Sequence, residues 1–276
     1  PAARPDGAAE YKLADAPAWQ VRLPAELHEI SGLAVTEDGR VFAHGDEDAT
    51  VYQIDPRAGT ITKRFGLAPT GSDPDLGKKK GGKDGKLAGD FEDIAVAGDR
   101  FYLVTSNGVL LQFKEGADGA SVPYEAFTTP LADVCEVEGL AHDPAKASLL
   151  VLCKTMEEKS EREQVAVYDW SLDRRSLSER PRFSIPWSEL TSLTGDKEFN
   201  GSAITVRPGG GSLFLIAGPQ RLFAETAPDG KPVRGGAFAK ETQPQPESVA
   251  FLPDGTLLVA SEGGKGVATL AGYSAR

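Results

Sequence analysis

One pattern of polar and apolar positions recurs five times along the chain. Each copy has a polar residue, a small residue, an aliphatic residue and another small residue, then a turn and a second apolar run. The copies are EISGLAVTEDGRVFAH (29–44), DFEDIAVAGDRFYLVT (90–105), EVEGLAHDPAKASLLVLC (136–153), NGSAITVRPGGGSLFLIAG (200–218) and QPESVAFLPDGTLLVAS (245–261). Turn residues such as Asp38-Gly39 and Asp254-Gly255 separate the two apolar runs, which predicts a β-hairpin in every copy.

Further short strands follow each predicted hairpin. Third strands are predicted at 50–55, 109–114, 164–170, 221–225 and 266–270, and fourth strands at 60–65, 124–127, 182–185 and 233–238. The fifth unit has no fourth strand after it, but residues 18–23 (AWQVRL) supply one from the other end of the chain. Four-stranded units repeated around an axis form a β-propeller, here with the N-terminal strand closing the last blade.

The sequence therefore predicts an all-β fold, a single β-propeller domain over residues 11–276 after a small, polar linker over residues 1–10. Five four-stranded blades account for the five repeats. A six-bladed ring is the alternative, and it would need a repeat that the pattern does not show. No segment carries a helical apolar period over a convincing length.

Composition excludes several classes of partner. The chain has 276 residues, 40% of them hydrophobic and 26% charged, which is the balance of a globular protein. Its apolar runs reach about six residues, whereas a membrane span needs about 20, so no transmembrane segment is expected. With 30 basic and 41 acidic residues, the net charge of −11 opposes binding to nucleic acid or anionic lipid. A monomer is expected.

Two sets of polar residues occupy equivalent positions at the start of the five predicted inner strands. Two residues before the central aliphatic residue stand Ser31, Glu92, Glu138, Ser202 and Glu247. Four residues before it stand Glu29, Asp90, Glu136, Asn200 and Gln245. Since inner strands run along the central channel of a propeller, each set is predicted to form a ring at one mouth of the channel.

Carboxylates crowded in such a ring repel one another and raise one another's pKa unless a cation compensates them. Calcium prefers hard oxygen ligands of this kind, so Glu92, Glu138 and Glu247 are candidate ligands of a Ca²⁺ ion. The alternative is a water-filled mouth in which some of the acids bind backbone N–H groups of adjacent blades.

The loops after the second strands are predicted to open on the same mouth. They add six binding candidates to the two rings: His44, Asp46, Asn107, Lys154, Arg221 and Glu262. Acids, amides and bases therefore converge around a pocket, which permits acid–base chemistry. Polar loops line the mouth of every propeller, however, so the sequence leaves catalysis open.

The order of the motifs resembles a known family. ISGLAVTEDGRVFAHGDED, DFEDIAV, VEGLAHDPAKASLLVLCK and PESVAFLPDGTLLVASEGG, in this order, look like the SdiA-regulated family of bacterial propellers over residues 25–265. They are also similar to phytase-like esterase propellers. The resemblance implies an extracytoplasmic, five-bladed, metal-binding propeller of poorly defined activity. The chain departs from the family's acidic pattern at Ser31, at Ser202 and in the loops 105–107 and 218–220.

The first residue of the chain is Pro1 rather than methionine, and the segment that follows is linker-like. This favours equally a processed N-terminus, after a signal peptide or lipoprotein anchor, and a sequence that was simply trimmed.

Cys135 and Cys153 fall on one predicted hairpin, where a turn at 144–146 would place Cys153 opposite Glu138. A disulfide bond then needs a register shift; it is the preferred expectation over two buried thiols.

Three functions remain open from the sequence. The first is a periplasmic or secreted propeller, lipid-anchored through a removed N-terminal segment, that binds a small ligand or a protein at a calcium-binding mouth. The second is a metal-dependent hydrolase of the esterase, lactonase or phosphatase-like type, in which a ring carboxylate activates water. The third is a protein-interaction scaffold without metal. Fold alone cannot choose among them.

Overall fold

A computed structural model describes residues 11–77, 85–209 and 211–275, and these form five β-sheets of four or five strands around a central axis. The predicted linker 1–10 lies outside the described residues. The first strand, β1 (Trp19–Arg22), belongs to the last blade. Blade 1 consists of β2 (Ile30–Val35), β3 (Val41–Gly45), β4 (Thr50–Asp55) and β5 (Thr60–Leu67).

The next two blades carry small additions. Blade 2 consists of β6 (Phe91–Ala97), β7 (Arg100–Thr105), β8 (Leu110–Lys114) and β10 (Tyr124–Phe127), while β9 (Ser121–Val122) pairs in parallel with β5 of blade 1. Blade 3 consists of β11 (Cys135–Asp143), β12 (Ser148–Met156) and β13 (Gln164–Ser171), with an outer edge divided between β14 (Ser176–Leu177) and β15 (Phe183–Pro186).

The last two blades complete the ring. Blade 4 consists of β16 (Ala203–Val206), β17 (Leu213–Ala217), β18 (Leu222–Thr226) and β19 (Pro232–Ala237). Blade 5 consists of β20 (Pro246–Phe251), β21 (Leu257–Ser261) and β22 (Thr269–Tyr273), to which β1 adds the fourth strand. The predicted five-bladed propeller is thus confirmed.

Closure by the N-terminal strand is also confirmed. Strand β1 pairs antiparallel with β22, from Trp19 opposite Gly272 to Arg22 opposite Thr269. A Cβ atom on Gly272 would lie 2.2 Å from the Trp19 ring, so the indole packs directly on the glycine. The third strand of blade 5 lies at 269–273 rather than at the expected 266–270. The shift follows from the pairing of Ser261 with Thr269, which leaves residues 262–268 as the connecting loop.

One α-helix, α1 (Trp187–Thr194), interrupts the all-β pattern in the described chain. It contributes a single fully buried side chain, Leu190, so its sequence carries too weak an apolar period to be recognised. Gly195 ends the helix in the left-handed conformation, with φ +79°. Short 3₁₀ turns occur at 25–27, 130–133 and 159–161. None of the described helices is both long and apolar enough for a membrane span.

The hydrophobic core lies between neighbouring blades. Successive residues of an inner strand face opposite blades: Ile94 packs with Phe42 of blade 1, whereas Ala95 packs in the cluster that holds Leu140 of blade 3. This alternation is the two-residue period of a strand buried on both faces. The side chains of the strands therefore fill the spaces between blades, and the backbone edge of each inner strand faces the axis.

Candidate functional site

A β-bulge brings the predicted ring residues to the channel. In blade 1, Ile30 pairs with Gly45 and Gly32 pairs with the preceding residue, His44, so Ser31 is an extra residue without a partner in the ladder. The same irregularity occurs at three equivalent positions, Glu92, Glu138 and Glu247. In blade 4, Ser202 precedes the inner strand and donates its N–H to Ile216. Because a bulge redirects side chains, these positions open onto the channel instead of the blade core.

One cavity of about 170 Å³ unites the ring with three loop residues. Its lining is Ser31, Asp46, Glu92, Glu138, Lys154, Ser202, Glu247 and Glu262. We call this space the mouth cavity and the face on which it opens the top face. Every lining residue is charged or carries a hydroxyl group: five are acidic, one is basic and two are serines.

Lys154 supplies the positive charge of the mouth cavity. Its Nζ lies 2.7 Å from Oε1 of Glu138 and 3.9 Å from Oε1 of Glu136. The Glu138 side chain is 10% exposed and that of Lys154 24%, so water screens their attraction only partly. Burial lowers the pKa of Lys154, but Glu138 and Glu136 outweigh that effect and raise it, which keeps the amine charged.

Burial raises the pKa of all three ring glutamates. Burial, assisted by the nearby Glu138 and Asp90, raises the pKa of Glu92 to about 9. Burial also raises the pKa of Glu138 to about 7, although Lys154 opposes the shift. Burial and the charge of Glu262 raise the pKa of Glu247 to about 8. At neutral pH the mouth cavity therefore holds protonated and ionised carboxyl groups side by side.

A buried aspartate beside the ring links the inner strands of three blades. Oδ1 of Asp93 accepts a hydrogen bond from N–H of Ile94 at 2.8 Å, and Oδ2 accepts one from Leu140 of the next blade at 2.7 Å. The N–H of Leu33 in blade 1 also donates to this carboxyl group. Burial raises the pKa of Asp93 well above its ordinary value, and the three donors oppose that shift.

Two cavities with different linings lie along the inner strands. A second cavity of about 360 Å³ begins at Leu33, Ile94 and Leu140, and it shares no lining residue with the mouth cavity.

His44 lies behind the wall of the mouth cavity rather than in it. The residue is fully buried; Nδ1 donates to the carbonyl of Gly45 at 2.8 Å, and Nε2 has no hydrogen-bond partner among the described residues. A Cβ atom on Gly32 would lie 2.2 Å from Nε2, so the ring rests against the glycine backbone. Burial lowers the pKa of His44 to about 4, which makes it neutral at physiological pH.

The residues of the second predicted ring lie outside the lining of the mouth cavity. Asp90 accepts a hydrogen bond from Oγ of Ser106 at 2.7 Å, and Gln245 donates to Glu262. Glu29 is close enough to Glu262 to raise its pKa, although burial is the larger cause. The N–H of Asn200 donates to Oε1 of Gln220 at 3.3 Å.

Besides His44, two other predicted loop residues do not line the mouth cavity. Asn107 donates from Nδ2 to the carbonyl of Asp75 at 2.9 Å and accepts from the Thr105 hydroxyl. Arg221 adopts a positive φ of 57°, and its carbonyl accepts the N–H of Phe238. Both residues therefore shape the loops of their own blades.

Sequence reasoning missed two residues that build the site. Asp93 was overlooked beside Glu92; its signal is an acid at a position that is glycine, alanine or serine in the other four repeats. Gly218 was also overlooked: a Cβ atom there would lie 2.8 Å from the carboxyl oxygens of Glu247, so the acid packs against the glycine. Packing of blade 5 against blade 4 brings these two residues together.

Cys135 and Cys153 form a disulfide bond with their Cα atoms 5.7 Å apart, as preferred from the sequence. Two bulges make the register possible: Glu136 pairs with Thr155, Val137 with Cys153 and Gly139 with Leu152. A structural disulfide of this kind indicates an oxidising, extracytoplasmic compartment. Among residues 11–77, 85–209 and 211–275, no three His, Cys, Asp or Glu side chains are already arranged as a metal site.

Comparison with known proteins shows the fold. No family model matches the sequence, and no curated protein is significantly similar to it. Among solved structures, glutaminyl cyclase from Myxococcus xanthus has a TM-score of 0.60 at 12% identity, with 94% of each chain covered. The PQQ-bound aldose sugar dehydrogenase from Streptomyces coelicolor has a TM-score of 0.53 at 12% identity, covering 93% of this chain and 99% of that one.

A luciferin-regenerating enzyme is similar at a TM-score of 0.51 and 14% identity, over 93% of this chain and 95% of its own. These proteins have different named activities, and at such low identity the likeness extends to the fold only. The chain is thus a five-bladed β-propeller that shares its fold with several kinds of enzyme, and no family is named by the comparisons.

Proposed function

We propose that the protein is an extracytoplasmic binding propeller that holds a small cation, Ca²⁺ in the first instance, in the mouth cavity. One observation carries the proposal: all eight lining residues are charged or hydroxylic, and five of them are acids against a single lysine. Glu92, Glu138 and Glu247 are the proposed ligands, supported by the hydroxyl groups of Ser31 and Ser202.

The lining disfavours an apolar organic ligand inside the mouth cavity. Pockets for small molecules are mostly apolar, with a few polar groups that fix orientation. The mouth cavity has no aromatic or aliphatic side chain in its lining, and at about 170 Å³ it accommodates an ion with several water molecules. Carboxylate and hydroxyl oxygens are the hard donors that Ca²⁺ prefers, and Ca²⁺ commonly keeps water among its six to eight ligands.

Retained water also agrees with the spacing of the carboxyl groups. No three acidic side chains of the described chain converge as a ready ligand set. The proposed ion is therefore bound partly through water, and its arrival displaces protons from carboxyl groups whose pKa values are raised to between about 7 and about 9.

Thermal unfolding with and without Ca²⁺ tests the proposal. Protein freed of metal with a chelator should gain melting temperature as Ca²⁺ is added, by mass action. The gain should shrink in Glu92→Gln, Glu138→Gln and Glu247→Gln, each of which removes a charge while nearly preserving shape. Glu125→Gln is the matched control, because Glu125 lies on the outer strand of blade 2, 55% exposed.

Two outcomes overturn the proposal. If the melting temperature of metal-free wild type does not respond to Ca²⁺, the ring residues line a water-filled channel entrance that binds no cation. If the three ring variants respond as fully as the Glu125 control, the ion binds elsewhere.

Glu138 supports a second candidate, a hydrolase of the esterase, lactonase or phosphatase-like type. Its carboxyl group has a pKa of about 7, which suits a general base, and Lys154 holds it by a 2.7 Å hydrogen bond. A bound cation would supply polarisation of a substrate oxygen. A screen of ester, lactone and phosphate substrates tests this candidate: activity in wild type that Glu138→Gln abolishes supports it.

Location and partners complete the proposal. The disulfide bond agrees with a periplasmic or secreted protein, and a lipid anchor on a removed N-terminal segment is part of the same proposal. The top face is the proposed surface for a small ligand or a partner protein. Globomycin treatment and fractionation of cells that express the full gene test the lipid anchor.

A further inference from the structure

The disulfide bond lies directly beside the ion pair of the mouth cavity. Cys135 precedes Glu136 on β11, and Cys153 precedes Lys154 on β12. Both cysteines are buried, at 2% and 0% exposure. The bond therefore joins the two strands that carry Glu138 and Lys154 at the top end of their hairpin.

At this point the backbone ladder of blade 3 is doubly interrupted. Glu138 is the extra residue between the pairs at Val137 and Gly139, and Lys154 is the extra residue on the opposite strand. In blades 1, 2 and 5 only the inner strand carries an extra residue, and no disulfide bond accompanies it in the described chain. Bulges disrupt pairing locally, so the ladder is interrupted twice here before it resumes at the pairs Glu136–Thr155 and Cys135–Met156.

We propose that the Cys135–Cys153 bond positions the Glu138–Lys154 pair and thereby makes cation binding in the mouth cavity dependent on the redox state of the protein. The inference rests on the proposed function for the cation itself. With the bond intact, Val137 and Cys153 stay paired and the two bulged residues face each other. Without it, the strands separate at the bulges, and Glu138 loses its fixed position in the ring.

The chemistry of the switch is an ordinary thiol–disulfide exchange. A dithiol reductant attacks one sulfur, the S–S bond breaks, and two electrons and two protons end on the thiols of Cys135 and Cys153. The reductant leaves as its own disulfide. Since both sulfurs are buried, the hairpin must open before attack; a bound cation that holds Glu138 in place should therefore slow the reduction. At equilibrium, a cation that binds the oxidised form more tightly must also favour the disulfide over the two thiols.

Calorimetric titration of Ca²⁺ into three proteins tests the positioning role. The oxidised wild type is compared with the double variant Cys135→Ala/Cys153→Ala and with Leu149→Ala. Leu149 is fully buried in the same hairpin, pairs with His142 at its far end, and serves as the control for lost stability alone. The double variant should bind Ca²⁺ about tenfold more weakly, as for other residues that support metal ligands, and Leu149→Ala should bind as wild type.

A second measurement uses the unaltered chain and does not depend on the folding of a variant. Reduction of the wild type by dithiothreitol should be several times slower with saturating Ca²⁺ than with a chelator. In Glu138→Gln the two rates should be equal. Equal affinity of wild type and double variant, an equal loss in Leu149→Ala, or a reduction rate indifferent to Ca²⁺ would each overturn the inference.

Failure of the proposed function is recognised separately. If wild type binds no Ca²⁺, the cation proposal fails, and acetylation of Lys154 still reports on the geometry. The Lys154 side chain is 24% exposed and paired with Glu138, so it should react faster in the double variant than in wild type or Leu149→Ala. An unchanged acetylation rate shows that the bond does not position the pair.

Discussion

Replacing Glu92 by glutamine should change how the stability of the metal-free protein depends on pH. The pKa of Glu92 is raised from 4.5 to about 9, first by burial and then by Glu138 and Asp90. The unfolded chain releases this proton above pH 4.5, whereas the folded protein keeps it until about pH 9. Because the folded state binds more protons across this range, its stability falls as the pH rises.

The size of the effect follows from the shift. Each pH unit between the two pKa values lowers the free energy of unfolding by about 1.4 kcal/mol. Glutamine has nearly the shape of the neutral acid and does not titrate. The stability advantage of Glu92→Gln over wild type should therefore grow by about 3 kcal/mol at most between pH 5 and pH 7, less to the extent that water in the cavity screens Glu92.

Urea unfolding followed by tryptophan fluorescence, in the presence of a chelator at pH 5, 7 and 9, measures the difference. Glu125→Gln, far from the mouth cavity, should run parallel to wild type. Saturating Ca²⁺ should narrow the gap between Glu92→Gln and wild type, because a cation stabilises the ionised carboxylate. If the curves of Glu92→Gln and wild type are parallel from pH 5 to pH 9, the buried, mutually repelling ring does not exist in solution.

Two further substitutions test the packing and ion pairs that stabilise the propeller around the site. Gly272→Ala should destabilise the protein by about 1–3 kcal/mol, because the new methyl group would meet the indole of Trp19 at 2.2 Å. Thermal unfolding measures this loss. If β1 closes the ring, adding Trp19→Ala to Gly272→Ala should relieve much of it. Arg182→Met should cost about 3–5 kcal/mol, because it leaves Asp143 and Asp169 without their buried cation. A smaller cost at pH 4 than at pH 7, seen by urea unfolding, would show that the unpaired acids cause it.

The repeat pattern predicted the blades closely. Strand β4 occupies the expected residues 50–55 and β10 the expected 124–127. In β4 the apolar residues are buried between blades, so local pattern and tertiary burial agree, whereas β10 is a more exposed outer strand held by its pairing with β8. Helix α1 was missed because its position is decided by packing of Leu190 beneath the outer strands of blades 3 and 4, not by its own period.

Part of the site was also visible in the sequence. The equivalent positions of Glu92, Glu138 and Glu247 place them in one cavity as expected. Whether these residues bind a metal remains a proposal. The sequence did not indicate that Asp93 links three inner strands, because its three N–H donors come from three different blades.

The sequence by itself determined the periodic quantities: five repeats, the strand order within each, the strand that closes the ring, and the equivalence of the ring positions. These follow from local alternation and turn chemistry, which act over a few residues. Only the tertiary structure decided the irregular features. The facing bulges at Glu138 and Lys154 allow the disulfide bond, and the raised pKa values come from burial and from charges on other blades. Such effects depend on distances between segments far apart in the chain, which no local pattern encodes.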